Sequence, residues 1–288
     1  MTSHLVGLIG SGIGSSLSPA LHEREADHHG LRYLYRTIDI ADLGLDAGAA
    51  GCLVRTARRF GYTGLNITHP CKQTVIEHLD ELAPEAATLG AVNTVTFEAD
   101  RAVGHNTDWT GFARSFARGL PGAPTRRIVQ LGAGGAGAAV AHALLTLGAG
   151  RVDVVDEREE RAAALVAALT DRFGADRAGA TRDLATLLPA ADGLVNATPI
   201  GMAAHPGLPL PAGLLHAGLW VADVVYRPLE TALLRQARRL GCRTLDGVGM
   251  VVFQAAHAFR FFTGVEPDVE RMLAHLADLV NARAGGTA

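Results

Sequence analysis

The stretch Arg127-Ile128-Val129-Gln130-Leu131-Gly132-Ala133-Gly134-Gly135-Ala136-Gly137 decides the fold of this chain. Its first residues are mostly apolar and predict a strand, and its glycines open an Ala- and Leu-rich helix that continues to Leu147. A second strand, Arg151 to Val155, follows and ends in Asp156. This order of strand, glycine turn, helix, strand and acid is typical of a Rossmann dinucleotide-binding domain, in which the pyrophosphate lies at the helix N-terminus. The alternative is a glycine-rich turn that binds no nucleotide.

Asp156 predicts which dinucleotide is bound. A carboxylate at this position accepts hydrogen bonds from a ribose 2'-hydroxyl and repels a 2'-phosphate, so the sequence favours NAD over NADP. Arg158 lies close by in the sequence and would soften that preference. Arg161 either lies along the adenine or forms a surface ion pair with Glu157 at the preceding helical turn.

Three further strands complete the predicted sheet of this domain: Asp192 to Ala197, Leu219 to Val225 and Arg243 to Leu245. The carboxyl ends of parallel strands meet at one edge of a sheet, so the residues after these strands should lie beside the glycine turn. The predicted cofactor-binding residues are Gly132, Ala133, Gly134, Gly135, Ala136, Gly137, Asp156, Arg161, Thr198, Met202, Val225 and Gly247.

Strands and helices also alternate in the N-terminal part of the chain. The predicted strands are Leu5 to Gly10, Tyr33 to Ile40 and Gly61 to Thr68, and the helices between them are Ala20 to His29 and Leu43 to Phe60. This alternation predicts a second parallel sheet that binds its ligand at the carboxyl ends of the strands.

Ser16 and Ser18 lie in the small-residue loop after the first of these strands. One interpretation is helix capping, with Pro19 at the first helical position. The other is that two hydroxyls at the end of a strand bind a polyhydroxylated ligand.

The stretch Asn66-Ile67-Thr68-His69-Pro70-Cys71-Lys72 contains the only lysine of the chain, because 25 of the 26 Lys and Arg residues are Arg. Of the two cationic side chains, only the lysine amine releases a proton readily inside a protein, so Lys72 is a candidate for proton transfer. A predicted helix from Pro70 to Leu79 places Lys72 in a first turn, where the helix dipole favours loss of the proton. The alternative is a surface lysine with no special role.

Asn93, Asn106 and Asp108 lie near the ends of two paired strands predicted around a turn at residues 99–101. Each alone is more often a turn former, but several polar residues at strand ends together indicate a site. Two C-terminal helices, Met250 to Thr263 and Pro267 to Ala284, are apolar enough to pack back on the first domain. Gln254 in the first of them is either a ligand contact or a buried structural amide.

The composition excludes several classes of protein. With 288 residues, 48% of them hydrophobic, the chain is long enough for two globular domains. A net charge of -3 argues against nucleic-acid or membrane-surface binding. Three scattered cysteines, and no apolar run of the roughly 18 residues that a membrane span needs, predict a cytoplasmic protein. The twelve histidines form no pattern of metal ligands, so no metal is expected.

Motifs along nearly the whole chain resemble the shikimate and quinate/shikimate dehydrogenase family. In the family's order they are Ser16-Leu17-Ser18-Pro19, Asn66 to Lys72, Gly90-Ala91-Val92-Asn93-Thr94, Gly104-His105-Asn106-Thr107-Asp108, the glycine turn, Asn196-Ala197-Thr198-Pro199, Asp246-Gly247-Val248-Gly249-Met250 and Gln254-Ala255-Ala256. The resemblance implies reversible hydride transfer between C3 of a cyclohexane or cyclohexene carboxylate and the nicotinamide C4.

The resemblance also implies roles for individual residues. Lys72 and Asp108 would be the catalytic pair. The implied substrate-binding residues are Ser16, Ser18, Thr68, Lys72, Asn93, Asp108, Tyr226 and Gln254. The expected architecture is α/β: an N-terminal substrate domain of residues 1–109, completed by 250–288, and a doubly wound Rossmann domain of residues 110–249. A homodimer is left open.

Two departures from the family pattern bear on specificity. Asp156-Glu157-Arg158 stands where the NADP-using biosynthetic members usually carry an Asn-Arg-Thr-like trio, which resembles the NAD-preferring catabolic branch. Cys71 replaces the aromatic residue common before the lysine, and Ser18 fits shikimate where some quinate-preferring members use Thr. The alternatives are an NADP-using biosynthetic enzyme, a dehydrogenase of an aminoshikimate or another cyclitol, and a non-catalytic NAD sensor.

Overall fold

The computed structural model describes residues 3–285 and consists of two compact units. Residues Met1–Thr107 and Val252–Ala288 form one, called here the discontinuous unit, and Asp108–Val251 form the other, the inserted unit. The boundaries expected from the sequence were residues 109 and 250.

The strands are β1 (Ser3–Gly10), β2 (Arg32–Asp39), β3 (Gly64–Ile67), β4 (Glu81–Leu82), β5 (Thr94–Glu98), β6 (Arg101–His105), β7 (Arg127–Leu131), β8 (Arg151–Val155), β9 (Ala178–Ala180), β10 (Gly193–Asn196), β11 (Trp220–Asp223) and β12 (Arg243–Leu245). The helices are α1 (Ser18–His28), α2 (Ala50–Arg59), α3 (Cys71–Thr74), α4 (Pro84–Leu89), α5 (Asp108–Gly119), α6 (Gly135–Thr146), α7 (Glu159–Phe173), α8 (Leu184–Leu187), α9 (Ala232–Arg239), α10 (Val248–Thr263) and α11 (Val269–Gly285). Single turns of 3-10 helix lie at Ala47–Ala49, Ile76–His78, Leu188–Ala190 and Ala212–Leu214.

The sheet of the discontinuous unit has the strand order β2-β1-β3-β5-β6-β4. Strand β1 pairs in parallel with β2 and β3, whereas β5 runs antiparallel to β3 and to β6. The prediction that the first three strands run parallel is confirmed, since β1, β2 and β3 are parallel. The expected strand pair around residues 99–101 is also confirmed, and it adds β5 and β6 to the sheet as an antiparallel pair. The chain turns directly from β5 into β6 through Ala99, whose φ is 52°, and such a tight connection can join only antiparallel strands.

Apolar residues cover both faces of this sheet. On one face Ile9, Leu65 and Ile67 pack with Val54 of α2. On the other, Val6 and Leu8 pack with Phe262 of α10. The predicted packing of the first C-terminal helix against the N-terminal sheet is thus observed within this unit.

The sheet of the inserted unit is parallel throughout, in the order β12-β11-β10-β7-β8-β9. Successive strand residues point to opposite faces, so Ile128 packs in one apolar cluster with Leu144 and Trp220 while Val129 packs in another with Leu194 and Leu233. Helices therefore cover both faces, as the doubly wound Rossmann prediction requires.

Two predicted helices are shorter than expected. The helix expected from Leu43 begins only at Ala50, because Gly44 has a φ of 66° and the Asp46 side chain accepts a hydrogen bond from Gly48 N, which holds a turn there. The helix expected from Pro70 to Leu79 is the single turn α3 followed by the 3-10 turn Ile76–His78. Within residues 3–285, no helix is both long and apolar enough to cross a membrane.

Candidate functional site

Four strands of the inserted unit end in one row. The parallel register pairs Leu131 with Val155 and with Asn196, and Asn196 with Asp223. The residues that follow these strand ends therefore emerge at the same edge of the sheet. These residues include Gly132, Asp156, Thr198 and Val225, so the structure brings together the predicted cofactor residues that follow strands.

The glycine turn has the geometry that a dinucleotide requires. Gly132 has a φ of 99°, and a Cβ there would lie 2.7 Å from the carbonyl oxygen of Ala197. A Cβ on Gly137 would collide with the backbone of Gly132, so this glycine allows α6 to pack against the turn. Gly134 caps α6, is exposed and has open space where its Cβ would be. These are the three glycine roles of the fingerprint, and the open position lies where pyrophosphate approaches the helix N-terminus.

Gln130 holds the glycine turn closed and was not singled out from the sequence. Its side-chain nitrogen donates to the carbonyl oxygens of Gly132 and Gly137, both at 2.9 Å, and the residue is fully buried. The signal for this role was weak: a single amide inside an otherwise apolar strand.

The Asp156 carboxylate is fixed at the glycine turn. One oxygen accepts the Ala133 N–H at 2.7 Å, and the other accepts the Arg158 N–H at 2.9 Å. Asp156 is half-buried and Arg158 is exposed. Arg161 is exposed on α7. Glu159, on the same helix, forms an ion pair with Arg182 at 3.1 Å.

The remaining cofactor candidates follow β10, β11 and β12. Thr198 donates its hydroxyl to the side-chain oxygen of Asn196 at 2.6 Å, and Met202, in the same turn, is 40% exposed. Val225 is buried and donates its N–H to Asp223 at 3.0 Å. Gly247 packs so closely on Val225 that a Cβ would lie 3.0 Å from the Val225 carbonyl carbon.

The serine loop of the discontinuous unit is held by Asp39. The Asp39 carboxylate, at the end of β2, accepts the N–H groups of Gly12 at 3.0 Å and Ile13 at 2.7 Å. Ser16 Oγ accepts the N–H of Ser18 at 3.2 Å, so a serine does stabilise the start of α1, but the N-cap position is Leu17. Ser18 is the first residue of α1 and is half-buried.

The segment after β3 brings Thr68 near the end of β1 and carries Lys72 in the short helix α3. Gly10 lies so close to the Thr68 methyl group that a Cβ would overlap it. Lys72 is half-buried, and its carbonyl oxygen accepts the Val92 N–H at 2.9 Å. Because α3 is only four residues long, the argument for Lys72 from the dipole of a long helix does not apply.

A buried network of amides and hydroxyls joins distant parts of the discontinuous unit. Asn93 donates its side-chain N–H to Thr107 Oγ1 at 2.9 Å and accepts the Thr107 N–H at 2.7 Å. Thr107 Oγ1 in turn lies 3.5 Å from Gln254 Oε1, across 147 residues of sequence. The structure therefore brings Asn93 and Gln254 together around Thr107, a residue of the Gly104 to Asp108 motif for which the sequence predicts no separate role.

Asn66 and Tyr35 extend this network to β2. Asn66 donates to the Asn93 carbonyl oxygen at 3.2 Å and accepts the Tyr35 hydroxyl at 2.8 Å. Burial raises the pKa of Tyr35, and the nearby Ser18 side chain offsets this only in part, so the phenol keeps its proton. Tyr35, Asn66 and Asn93 thus form one continuous chain of hydrogen bonds.

The other sequence-predicted residues lie at element boundaries. Asp108 is buried and is the first residue of α5. Tyr226 is half-buried and lies after β11. Asn106 donates its side-chain N–H to the Ala91 carbonyl oxygen at 2.9 Å, which gives it a structural role. Within residues 3–285, no three His, Cys, Asp or Glu side chains form a group that could hold a metal ion.

A doubly wound sheet with a fingerprint glycine turn, next in the chain to a sheet that ends in a network of hydroxyls and amides, defines a dinucleotide-dependent oxidoreductase of a small polar substrate. Two family models match the chain: the shikimate dehydrogenase substrate binding domain at residues 8–95 and the shikimate 5'-dehydrogenase C-terminal domain at residues 247–276. The chain belongs to the shikimate dehydrogenase family.

Similar proteins differ in their named cofactor. The chain is 70% identical to the shikimate dehydrogenase (NADP(+)) of Streptomyces avermitilis, over 98% of each chain. It is 49% identical to the quinate/shikimate dehydrogenase (NAD(+)) of Corynebacterium efficiens, over 96% of this chain and 99% of the relative. The structure of quinate dehydrogenase from Corynebacterium glutamicum in complex with NAD matches with a TM-score of 0.90 and 46% identity, over 96% and 99% of the two chains. The protein is therefore a shikimate/quinate-type dehydrogenase that uses a nicotinamide dinucleotide.

Proposed function

We propose that this enzyme oxidises shikimate or quinate at C3 with NAD as its preferred acceptor. The observation that carries the cofactor preference is the Asp156 carboxylate, held beside the glycine turn by the Ala133 and Arg158 N–H groups. A fixed carboxylate accepts a ribose 2'-hydroxyl and repels a 2'-phosphate. Because both of its oxygens already accept backbone N–H groups, it cannot turn away to admit the phosphate without losing a hydrogen bond.

The proposed substrate residues are Ser16, Ser18, Thr68, Lys72, Asn93, Asp108, Tyr226 and Gln254. The network that joins Asn93, Thr107 and Gln254 supports this proposal. A substrate with several hydroxyls and one carboxylate needs many donors and acceptors at fixed positions, and side chains locked by one another provide them without further ordering.

Lys72 and Asp108 are the proposed catalytic pair. A bound nicotinamide supplies the hydride acceptor at C4. As the hydride leaves C3 of the alcohol, the hydroxyl proton passes to Lys72, and the Asp108 carboxylate positions the amine and shares the proton. The half-buried position of Lys72 and the burial of Asp108 support this role, because burial limits competition from water.

A second candidate is an NADP-dependent shikimate dehydrogenase. Arg158 follows Asp156 closely, is exposed, and carries a guanidinium of the kind that binds a 2'-phosphate. The relative from Streptomyces avermitilis carries that cofactor in its name. Asp156 opposes this candidate and Arg158 favours it, so the two residues set the preference together.

One assay tests the proposal. The purified enzyme is given NAD or NADP with shikimate, quinate or an amino analogue, and reduced nicotinamide is followed by its absorbance. We expect a higher kcat/KM with NAD than with NADP, and turnover of shikimate or quinate. A higher kcat/KM with NADP would replace the first candidate by the second. Tight NAD binding without oxidation of any of these acids would point to a sensor.

A further inference from the structure

Asn196 and Asp223 are the last residues of β10 and β11 and lie side by side in the parallel register. Asn196 is fully buried and Asp223 is 2% exposed, so neither side chain reaches solvent. The Asn196 side-chain nitrogen donates to the Asp223 carboxylate at 2.9 Å. Their position is notable because the segments that follow both strands carry the candidate cofactor residues.

Asn196 shapes the segment after β10. Its side-chain oxygen accepts both the N–H of Thr198 at 3.1 Å and the hydroxyl of Thr198 at 2.6 Å. Its side-chain nitrogen also donates to the Ile200 carbonyl oxygen at 2.9 Å. One buried amide therefore fixes the backbone and the hydroxyl direction of Thr198 and the path of the turn that leads to Met202.

Asp223 shapes the segment after β11. The oxygen that accepts from Asn196 also accepts the Val225 N–H at 3.0 Å. The other oxygen accepts the Thr231 hydroxyl at 2.7 Å, and Thr231 Oγ1 in turn accepts the Leu234 N–H at the start of α9. A buried carboxylate with three donors costs desolvation, and burial raises its pKa to about 6 although those hydrogen bonds act to lower it. An apolar side chain at this position would pack equally well without that cost.

The segments after β10 and β11 contact the glycine turn and Gly247 closely. A Cβ on Gly132 would lie 3.1 Å from Thr198 Cγ2, and one on Gly201, whose φ is 108°, would lie 3.8 Å from an Asp223 carboxylate oxygen. Gly247 contacts the backbone of Val224 and Val225 with similar closeness. A shift of either segment would therefore press on the glycine turn or on Gly247.

We propose that Asn196 and Asp223 are positioning residues of the dinucleotide site. Joined across the sheet, they hold Thr198 and Val225 at fixed places relative to the glycine turn. They act through those residues and touch neither substrate nor cofactor. The inference rests on the proposed function, because Thr198, Met202, Val225 and Gly247 are cofactor residues only under that proposal.

Calorimetric titration with NAD and with NADP tests the inference on the full-length protein. Asn196→Ala and Asp223→Ala should each raise the Kd of the preferred nucleotide about tenfold, the effect of losing one well-placed hydrogen bond. Asp223→Asn keeps an acceptor for Asn196 and Val225, and its nitrogen can donate to Thr231. It should therefore keep the Kd within about threefold of wild type.

Asp192→Ala is the matched control. Asp192 lies at the opposite end of β10, is 8% exposed, and accepts the Arg127 N–H at 2.9 Å. Its loss should lower the unfolding midpoint while leaving the nucleotide Kd near that of wild type. In steady-state assays, Asn196→Ala should raise the KM for the nucleotide while leaving the KM for the acid substrate unchanged.

Equal weakening of binding by Asp192→Ala and Asn196→Ala would overturn the inference, because the role would then be general stability. A wild-type Kd in Asn196→Ala would overturn it too. If Asn196→Ala does not fold, Asn196→Ser replaces it under the same criteria. A wild-type enzyme that binds a nucleotide but oxidises none of the acids refutes the proposed function, and the Kd comparison still decides this inference. A wild-type enzyme that binds neither nucleotide refutes both.

Discussion

The inserted unit and the discontinuous unit each end several strands in polar groups, but they build those strand ends differently. In the inserted unit the glycine turn offers mostly backbone, shaped by close contacts at Gly132 and Gly137. In the discontinuous unit the strand ends carry side chains, with Asn66 and Asn93 joined through hydrogen bonds to Tyr35 and Thr107.

This difference indicates how the two units should determine cofactor specificity and substrate specificity. Backbone N–H groups at a helix N-terminus suit a pyrophosphate that every dinucleotide shares, and under the proposed function the choice between dinucleotides depends on single side chains such as Asp156. A ring of side chains distinguishes small acids by the position of each hydroxyl. Substrate choice should therefore respond to many substitutions in the discontinuous unit, and cofactor choice to few in the inserted unit.

The largest expected effect is a loss of turnover on substitution of Lys72, in the discontinuous unit, with no change in nucleotide binding. Lys72→Arg keeps a positive charge but removes the amine that releases a proton, so turnover should fall about 10³-fold, within the range for loss of a general acid–base group. The Kd for NAD, measured by calorimetry, should stay at the wild-type value. Lys72→Ala should behave the same way. Turnover preserved in the arginine variant would refute the proposed proton transfer.

The next effect concerns acid sensitivity of the discontinuous unit. His22 is 1% exposed among aromatic rings, and burial lowers its pKa from 6.5 to about 3. Between these values the unfolded chain binds a proton that the folded chain does not, so stability falls as the pH drops from 6.5. The loss attributable to His22 should reach about 3 kcal/mol at pH 4.

His22→Gln removes this titration and can keep the hydrogen bond to the Tyr33 hydroxyl, which spans 3.1 Å in the native protein. Hydrogen exchange of amides in α1 and β2, followed between pH 7 and pH 4, should show a pH dependence about 3 kcal/mol smaller than in wild type. His28→Gln, on the same helix but exposed, is the control. An unchanged pH dependence in His22→Gln would mean that the folded protein accommodates a charged imidazole.

The two units also differ in how far the sequence predicted them. The observed bounds of β7, β8 and β12 coincide with the predicted ones. β7 and β8 are buried, mostly apolar strands that begin at an arginine and end before Gly132 and Asp156, so their ends are visible in the sequence. In the discontinuous unit, α2 and α3 were overestimated, since the hydrophobic pattern continues through Leu43 and Leu79 while local turns end the helices. Periodicity does not detect such turns.

The candidate site was only partly predictable. Motifs identified Asn93 and Gln254, and the structure adds that Thr107 lies between them. The sequence predicts no role for Tyr35, Gln130 or Asp223 and indicates Asn196 only as part of a motif, because these residues act through hydrogen bonds that only the folded chain creates. Tyr35 and Asn66, for example, are 31 residues apart. The catalytic roles of Lys72 and Asp108 stay predictions.

A smaller effect, opposite in sign to that of His22, is expected in the inserted unit. Burial raises the pKa of Asp223 from 3.8 to about 6, so the folded protein binds a proton between these values that the unfolded chain does not. Stability therefore falls as the pH rises from 3.8 through 6. Asp223→Asn removes the buried charge. The unfolding free energy of the variant, compared with that of wild type, should therefore be about 2 kcal/mol higher at pH 7 than at pH 4, after allowing for one altered hydrogen bond.

Tryptophan fluorescence during urea unfolding reports on this unit, because both tryptophans, Trp109 and Trp220, belong to it. Asp192→Asn is the control, and it should lower the unfolding free energy at pH 7 where Asp223→Asn should raise it. Burial would raise the pKa of Asp192, but hydrogen bonds from Arg127 and Arg126 outweigh it and lower the pKa, so this carboxylate stabilises the fold above its unfolded pKa. A loss of stability at pH 7 in Asp223→Asn would show that its charge is stabilising.

The smallest effect tests the single-residue basis of cofactor choice. Asp156→Asn removes the charge and keeps an oxygen that can accept the Ala133 N–H, which in the native protein lies 2.7 Å from the carboxylate. The ratio of kcat/KM for NADP to that for NAD should rise about tenfold, because repulsion of a 2'-phosphate is lost while the turn keeps its shape. Asp156→Ala removes the acceptor as well and should weaken both nucleotides. If the two variants change the ratio equally without loss of NAD binding, the hydrogen bond to Ala133 does not position the turn, and charge alone explains the preference.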